Sequence, residues 1–253
     1  MMIVYQFLFV KAILFDLGHT LIDYYHDWKE PEMKAIRKTY RILSTNFGIS
    51  DQEDEFCRHL GELLMEARET KLKRMIEVPL SDILNKCFHR YGCDGDDDLV
   101  DRALYAFYET LLENRRLIPG TKEMLDKVRA MGYVIGLVSD VAWGLPSEFP
   151  LRDMRFYGID QYFDELIFST DVGLRKPNPK IFKMALSNLN AKPDEAIFIG
   201  NSLQADIKGA KNVGMIAVLK ESKFYQHDDS IVPDEKISGW DEIDRLLAKY
   251  ARR

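Results

Sequence analysis

The sequence predicts an α/β protein with a doubly wound, Rossmann-like parallel sheet and an inserted bundle of helices. Short apolar, β-branched runs alternate with helical patterns in the C-terminal half, which is typical of parallel strands joined by crossover helices. Over residues 25–116 the apolar spacing is helical and strand patterns are almost absent. We therefore predict a core domain of residues 1–24 and 117–253 and a helical-bundle domain of residues 25–116.

The first strand is predicted from an apolar run that ends at an acidic residue. Residues 10–15 are apolar except for Lys11, Asp16 follows directly, and residues 17–20 have the pattern of a turn. Ligands bind open α/β sheets at the carboxyl ends of the strands, so Asp16 is the first candidate functional residue. An insertion after this strand lies over the same edge, where it can act as a lid that excludes water and selects substrates.

The later elements follow from the alternation of patterns. In chain order the sequence predicts a helix over 120–132, strands over 133–138 and 165–169, a helix over 179–189, a strand over 196–200, a helix over 205–213 and a strand over 215–219. Polar residues stand at the ends of these elements: Ser139 follows a strand, Lys176 precedes a helix, and Asn201 and Asp206 follow another strand. Together with Asp16 they bring four chain segments to one predicted site.

Composition and charge favour a small-molecule ligand. The 253 residues include 35 basic and 41 acidic side chains, for a formal net charge of −6. Without a basic field, neither nucleic acid nor a membrane is expected as a partner. Gln6, Lys11 and Asp16 interrupt the apolar start, and no basic region precedes it, so it predicts a strand rather than an export signal or a membrane span. Residues 1–8 are either an extra edge strand or an upstream start.

The cysteines and one acidic cluster predict structural roles. Cys57, Cys87 and Cys93 lack the paired spacing of a zinc site, so they indicate buried thiols and a cytoplasmic protein, with a Cys87–Cys93 disulfide as the alternative in an oxidising setting. The acidic run at residues 94–98 lacks the glycine and glutamate of a calcium loop. We expect these acids to cap the helix that follows.

Four ordered segments resemble the four motifs of the haloacid dehalogenase-like hydrolase superfamily. They are Ile13-Leu14-Phe15-Asp16 with Thr20-Leu21, Ile135-Gly136-Leu137-Val138-Ser139, Gly173-Leu174-Arg175-Lys176-Pro177-Asn178-Pro179, and Ile199-Gly200-Asn201-Ser202-Leu203-Gln204-Ala205-Asp206. The insertion resembles the helical cap of that superfamily's first cap class. The resemblance implies a phosphatase that acts on a small phosphorylated metabolite through an aspartyl-phosphate.

The resemblance also implies a role for each motif residue. Asp16 attacks phosphorus, Ser139 hydrogen-bonds a phosphoryl oxygen, and Lys176 supplies a fixed positive charge. Thr20 belongs to the first motif and counts among the catalytic residues. Backbone N–H groups in the turns at residues 17–20 and 139–140 complete the anion site.

Mg²⁺ is the cofactor that the resemblance implies. Its ligands would be the Asp16 carboxylate, the backbone carbonyl of Gly18 and the Asn201 side chain, all oxygen donors of the kind that Mg²⁺ prefers. Asp206 would lie behind them and orient either a metal-bound water or Lys176.

Two positions depart from the family pattern. Phosphatases of the superfamily have a second aspartate in the first motif, which acts as general acid and base, and here that position is Gly18. Either His19 or, less favourably, Asp140 takes its place, or the leaving group needs no proton, as in acyl phosphates. Asn201 replaces an acid in the last motif, which lowers the expected affinity for metal.

Other functions remain open from the sequence. One is a metal-independent 2-haloacid dehalogenase, whose halide leaves without protonation, and another is a catalytically weakened binding or regulatory protein with the same fold. Substrate selection is expected from the insertion, where residues 24–28 form a polar and aromatic cluster after the first motif, and from residues 143–146 after Ser139.

Overall fold

The computed structural model describes residues 10–25, 27–47, 52–93, 96–223, 228 and 230–250. The predicted alternatives for residues 1–8 and the predicted place of His26 fall outside this range. The strands are β1 (Ala12–Phe15), β2 (Ile22–Asp23), β3 (Arg116–Leu117), β4 (Val134–Ser139), β5 (Glu165–Phe168), β6 (Ala196–Gly200), β7 (Ile216–Lys220) and β8 (Glu235–Ile237). The α-helices are α1 (Lys29–Phe47), α2 (Glu53–Arg74), α3 (Leu80–His89), α4 (Asp97–Leu112), α5 (Thr121–Ala130), α6 (Glu148–Tyr157), α7 (Ser169–Val172), α8 (Pro179–Asn188), α9 (Lys208–Val213) and α10 (Ile243–Tyr250).

The main sheet confirms the predicted doubly wound fold. Within the described residues it has six strands in the order β5-β4-β1-β6-β7-β8, and every neighbouring pair is parallel. The central strand β1 is buried along its whole length because helices cover both faces of the sheet, which is why its sequence is a continuous apolar run. Phe15 pairs with Leu137 on one side and Ile199 on the other. The carboxyl ends of β1, β4 and β6 therefore lie at one edge.

Several elements lie outside the predicted pattern. The three-residue strand β8 is too short to show alternation, and α6 carries Pro150 in its first turn, where proline is tolerated because the N–H of that turn has no intrahelical partner. The predicted helix over 205–213 begins earlier, as a π-helical turn over Leu203–Ile207, and continues as α9.

The helices α1 to α4 follow β2 and precede β3 in the chain, and these two short strands pair with each other in antiparallel orientation. α1 packs against α4 and α2, and α3 packs against α2 and α4. The Asp96 carboxylate accepts a hydrogen bond from the Leu99 N–H at 3.0 Å and caps α4, as predicted for the acidic run. The domain boundaries near residues 24 and 116 stay a prediction.

A buried carboxylate ties together the two places where the chain passes between sheet and insertion. The Asp153 side chain, on α6, accepts hydrogen bonds from Tyr24 at 2.7 Å and Tyr108 at 2.8 Å, and forms an ion pair with Arg115 at 2.5 Å. Tyr24 follows β2, Arg115 precedes β3, and Tyr108 lies on α4. We call these four residues the crossing cluster.

All three cysteines are buried and unbridged, which agrees with structural thiols and not with a Cys87–Cys93 disulfide. In the described part of the chain, no helix is both long enough and apolar enough to cross a membrane.

Candidate active site

The turn after β1 brings the chain back to the carboxylate of Asp16. The N–H groups of Leu21 and Ile22 donate to the Leu17 carbonyl at 2.9 and 3.0 Å, which closes the turn. The Thr20 hydroxyl then donates to Oδ2 of Asp16 at 2.9 Å. Thr20 is fully buried, whereas Asp16 keeps 6% of its surface exposed. The first motif thus fixes one oxygen of the carboxylate and leaves part of Asp16 accessible.

Lys176 is anchored against the same carboxylate. Its Nζ lies 2.6 Å from Oδ1 of Asp16, 2.7 Å from Oδ1 of Asp206 and 2.9 Å from the Val138 carbonyl oxygen. Burial alone would lower the pKa of Lys176, but the charges of Asp16, Asp206 and Asp140 outweigh it and raise that pKa above its usual value. The ammonium is therefore a permanent cation in the site.

Asp206 is held on two sides. Its Oδ2 accepts the Ser202 N–H at 2.9 Å, and its Oδ1 faces Lys176. Burial raises the pKa of Asp206 above its ordinary value, and Lys176 opposes that shift. A Cβ at Gly200 would lie 2.4 Å from this carboxylate, so only glycine fits there. Of the two predicted roles for Asp206, the geometry supports the orientation of Lys176.

Two of the three oxygens predicted for a metal lie around the Thr20 hydroxyl. The Thr20 hydroxyl lies 2.9 Å from Oδ2 of Asp16 and 3.5 Å from Oδ1 of Asn201, so both side-chain oxygens are within reach of one hydroxyl. Among the described residues there is no group of three or more His, Cys, Asp or Glu side chains that could hold a metal ion. A set of one carboxylate, one carboxamide and the Gly18 carbonyl is outside that pattern and still fits Mg²⁺, which takes one or two carboxylates and keeps several waters.

The position of the missing second aspartate is open space. A Cβ at Gly18 would meet no atom within 4 Å, and the backbone there is not left-handed. The next residue, His19, has φ of 59° and places Nδ1 3.4 Å from Oδ1 of Asp23. The rings of Tyr24 and Trp28 meet the His19 ring edge-on, both at 6.4 Å between centroids. The imidazole is thus oriented from two sides.

One cavity of about 900 Å³ contains these groups. Of the predicted catalytic and metal residues, all except Thr20 line it, and the buried Ser139 contributes from the end of β4. From the predicted clusters, Tyr24, Asp27, Trp28, Trp143 and Leu145 also line it. Tyr25 does not; its hydroxyl donates to Glu113 at 3.1 Å on the exposed side.

The cavity wall also includes polar side chains that the sequence did not point to. Glu32 on α1 accepts hydrogen bonds at Oε2 from Trp143 Nε1 at 2.8 Å and from Arg68 at 2.7 Å, and Lys71 on α2 is buried. Helical spacing predicts which residues share a face of α1 or α2, but not which face meets the sheet.

Comparison with known proteins identifies the family that the four motifs resemble. Residues 10–214 match the family model of the haloacid dehalogenase-like hydrolases. The chain belongs to this hydrolase family. Among curated relatives, this haloacid dehalogenase-like hydrolase is similar to the glyceraldehyde 3-phosphate phosphatase of Methanopyrus kandleri, with 31% identity over 96% of this chain and 99% of the relative. The protein of the same name from Pyrococcus abyssi is 38% identical over 83% of this chain and 80% of the relative.

Solved structures of the family share the fold of this hydrolase. A haloacid dehalogenase-like phosphatase from Thermococcus onnurineus is 28% identical, with a TM-score of 0.63 over 94% of this chain and 98% of that one. A 2-haloacid dehalogenase from Pseudomonas syringae is 22% identical, with a TM-score of 0.68 over 96% of this chain and all of that one. The second likeness shows the fold alone.

Proposed function

We propose that the chain is a Mg²⁺-dependent phosphatase of small phosphorylated metabolites that acts through an aspartyl-phosphate on Asp16. The observation that carries the proposal is the buried contact of 2.6 Å between Lys176 Nζ and the Asp16 carboxylate. A carboxylate can attack a phosphate dianion only where positive charge and oriented donors offset the repulsion. Lys176, Ser139 and the residues proposed to hold a divalent cation line the same cavity, which supports the proposal.

In the first half-reaction, an Asp16 oxygen forms a bond to phosphorus as the bond from phosphorus to the leaving oxygen breaks. Lys176 and Ser139 offset charge on the phosphoryl oxygens. Mg²⁺, held by Asp16, Asn201 and the Gly18 carbonyl, would neutralise further phosphoryl charge. In the second half-reaction, water attacks phosphorus and releases Asp16.

His19 is proposed as the general acid and base in the absence of an aspartate at position 18. An imidazole titrates near neutrality, so it can give a proton to the leaving oxygen and then accept one from water. Its place on the cavity wall, with Nδ1 beside Asp23, supports this role.

Glyceraldehyde 3-phosphate is the proposed first substrate. Relatives that match most of this chain carry that name, and a cavity of about 900 Å³ has room for a triose phosphate. Glu32 and Arg68 face the cavity from the helices and offer an acceptor and donors for hydroxyl or carbonyl groups.

The test is substrate hydrolysis with Mg²⁺ and with EDTA, measured as release of both phosphate and glyceraldehyde. We expect metal-dependent turnover, no turnover in Asp16→Asn, and a phosphoryl mass shift on the peptide that contains Asp16. Asp164→Asn is the matched control, because Asp164 lies at the other end of β4 and pairs with Arg129. Chloride release from 2-chloropropionate without phosphate hydrolysis would replace the proposal with the dehalogenase reaction.

A further inference from the structure

A buried carboxylate outside the reacting groups lies where the insertion meets the core. Glu77, between α2 and α3, has a side chain that is 1% exposed. Its Oε1 lies 2.8 Å from Lys71 Nζ, and its Oε2 lies 2.6 Å from Arg175 and accepts a hydrogen bond from the Ser169 hydroxyl. Burial opposes ionisation, but Arg175 and Lys71 together hold the pKa of Glu77 below its usual value. Glu77 is therefore an anion between two cations.

The backbone around Glu77 is hydrogen-bonded to the residues that precede the catalytic lysine. The Glu77 N–H donates to the Gly173 carbonyl at 3.0 Å, and the Arg175 N–H donates to the Met75 carbonyl at 3.1 Å. Ile76 and Leu174 form an antiparallel bridge between these two bonds. The next residue in the chain is Lys176, whose ammonium contacts Asp16, so the ladder fixes the backbone directly before it.

The partners of Glu77 also reach the loop that follows Ser139. Arg175 donates to the Val141 carbonyl at 3.2 Å, and the Ser169 hydroxyl accepts the Val141 N–H at 3.0 Å. Lys71 donates to the Trp143 carbonyl at 2.8 Å. Two of the loops that build the anion site are thus bound to groups that Glu77 organises.

The loop after Ser139 is closely packed at this contact. A Cβ at Gly144 would lie 2.4 Å from the Val78 carbonyl oxygen and 2.8 Å from Lys71 Nζ. Gly144 has φ of 86°, a conformation that favours glycine. The loop after Ser139 and the segment after α2 are therefore in close contact at Gly144, where a larger side chain would clash.

We propose that Glu77 is a positioning residue that couples the seating of the helical insertion to the geometry of Lys176 and Ser139. With the insertion in place, Glu77 holds Arg175, and Arg175 fixes the segment that carries Lys176. Without the Glu77 carboxylate, the buried Lys71 loses its ion-pair partner and the partly exposed Arg175 keeps Asp140 at 3.8 Å, so the ladder at residues 173–176 loosens. The inference rests on the proposed phosphatase function only for the effect on kcat. The coupling between Glu77 and the segment before Lys176 is a property of the fold.

The experiment compares Glu77→Gln with Asp164→Asn and Glu77→Asp. For Glu77→Gln we expect kcat to fall about tenfold or more, because small displacements of catalytic groups are costly, while KM changes by less than about threefold. Glu77→Asp keeps the charge and should recover part of kcat. Asp164 also pairs with an arginine and accepts a backbone N–H, but it lies far from the site, so Asp164→Asn should keep kcat.

Amide hydrogen exchange gives a readout that does not depend on turnover. In Glu77→Gln we expect the N–H groups of residues 77 and 175 to exchange about tenfold faster than in the wild type, with the amides of β1 unchanged. If Glu77→Gln does not fold, Arg175→Lys keeps the charge, loses the guanidinium contacts, and should show the same exchange pattern.

Unchanged kcat in Glu77→Gln, or an equal fall in Asp164→Asn, would overturn the inference. So would unchanged exchange at residues 77 and 175. A wild type that hydrolyses no phosphate ester would reject the proposed function instead, and the exchange measurements would then still decide the coupling.

Discussion

At the scale of single residues, the site differs from the family pattern at two positions, and the structure accommodates both differences. Gly18 leaves open space where the family has an acid, and Asn201 presents a neutral oxygen to the Thr20 hydroxyl that also contacts Asp16. The cation in the site does not depend on either position, because Lys176 is held by Asp16 and Asp206. We therefore expect the chemistry to be limited by proton transfer rather than by nucleophile placement.

Gly18→Asp is expected to raise the rate on alkyl phosphates more than on nitrophenyl phosphate. An added general acid is worth about 10²–10⁴-fold when the leaving oxygen needs a proton, and nitrophenolate does not need one. The open space at Gly18 allows the side chain without a clash. The measurement is kcat/KM for both substrates, and an equal effect on both would contradict the leaving-group argument.

The matched variant for this prediction is His19→Ala. Loss of the proposed proton carrier should lower the rate on alkyl phosphates by at least about tenfold, and Gly18→Asp in the same chain should restore part of it. An unaltered rate in His19→Ala would remove His19 from the mechanism.

At the scale of elements, the crossing cluster connects two helices, α4 and α6, and the ends of two short strands, β2 and β3, through one carboxylate. Asp153 is fully buried. Burial of Tyr24 and the negative charge of Asp153 raise the pKa of Tyr24 well above its usual value, so the tyrosine stays a hydrogen-bond donor. Arg115 stacks over the Phe156 ring at 4.1 Å, which leaves the guanidinium little freedom to follow a displaced acceptor.

Asp153→Ala is expected to destabilise the protein by about 3–5 kcal/mol, because it leaves the Arg115 charge and two hydroxyl groups without their buried acceptor. Urea unfolding of wild type and variant measures this directly. Asp164→Asn removes a partly exposed partner of Arg129 and should cost clearly less, about 1 kcal/mol. Similar losses in both variants would contradict the role given to the crossing cluster.

Local sequence signals were sufficient for the ends of β1, β4 and β6, because each strand is a continuous apolar run followed by a polar residue. They were insufficient for Asp153 and Glu77. Glu77 contacts Arg175 across 98 positions, and Asp153 contacts Tyr24 across 129. Such pairs depend on how the insertion meets the sheet, and a single sequence carries no periodicity for that contact.

At the scale of the whole molecule, the hydrophobic core continues from one face of the sheet into the insertion. One cluster of buried side chains includes Phe15 and Leu137 from the sheet and Leu43, Phe56 and Phe107 from the helices. Burial of this kind makes unfolding cooperative, so a ligand at the site should stabilise sheet and insertion together.

Mg²⁺ is expected to raise the unfolding temperature of the whole protein, because a ligand of the folded state stabilises it by mass action. Asn201→Asp adds a negative charge beside Asp16, so it should lower the unfolding temperature without metal and lower the Mg²⁺ concentration of half-effect by about tenfold. Differential scanning calorimetry at increasing MgCl₂ concentrations measures both the unfolding temperature without metal and the Mg²⁺ concentration of half-effect. The same affinity in Asn201→Asp and wild type would exclude residue 201 from the metal site.

The anchoring of Lys176 constrains how a substrate can be received. An ammonium has three N–H bonds, and the acceptors around this one are two carboxylates and the Val138 carbonyl. Hydrogen bonds to Asp16 and Val138 and an ion pair with Asp206 surround the ammonium, so we expect an incoming phosphoryl oxygen to replace one of these contacts. Of the three acceptors, only the Asp16 carboxylate becomes an acyl phosphate in the proposed intermediate and so loses its own negative charge. The Lys176 ammonium can therefore exchange its contact with the Asp16 carboxylate for one with a phosphoryl oxygen without moving.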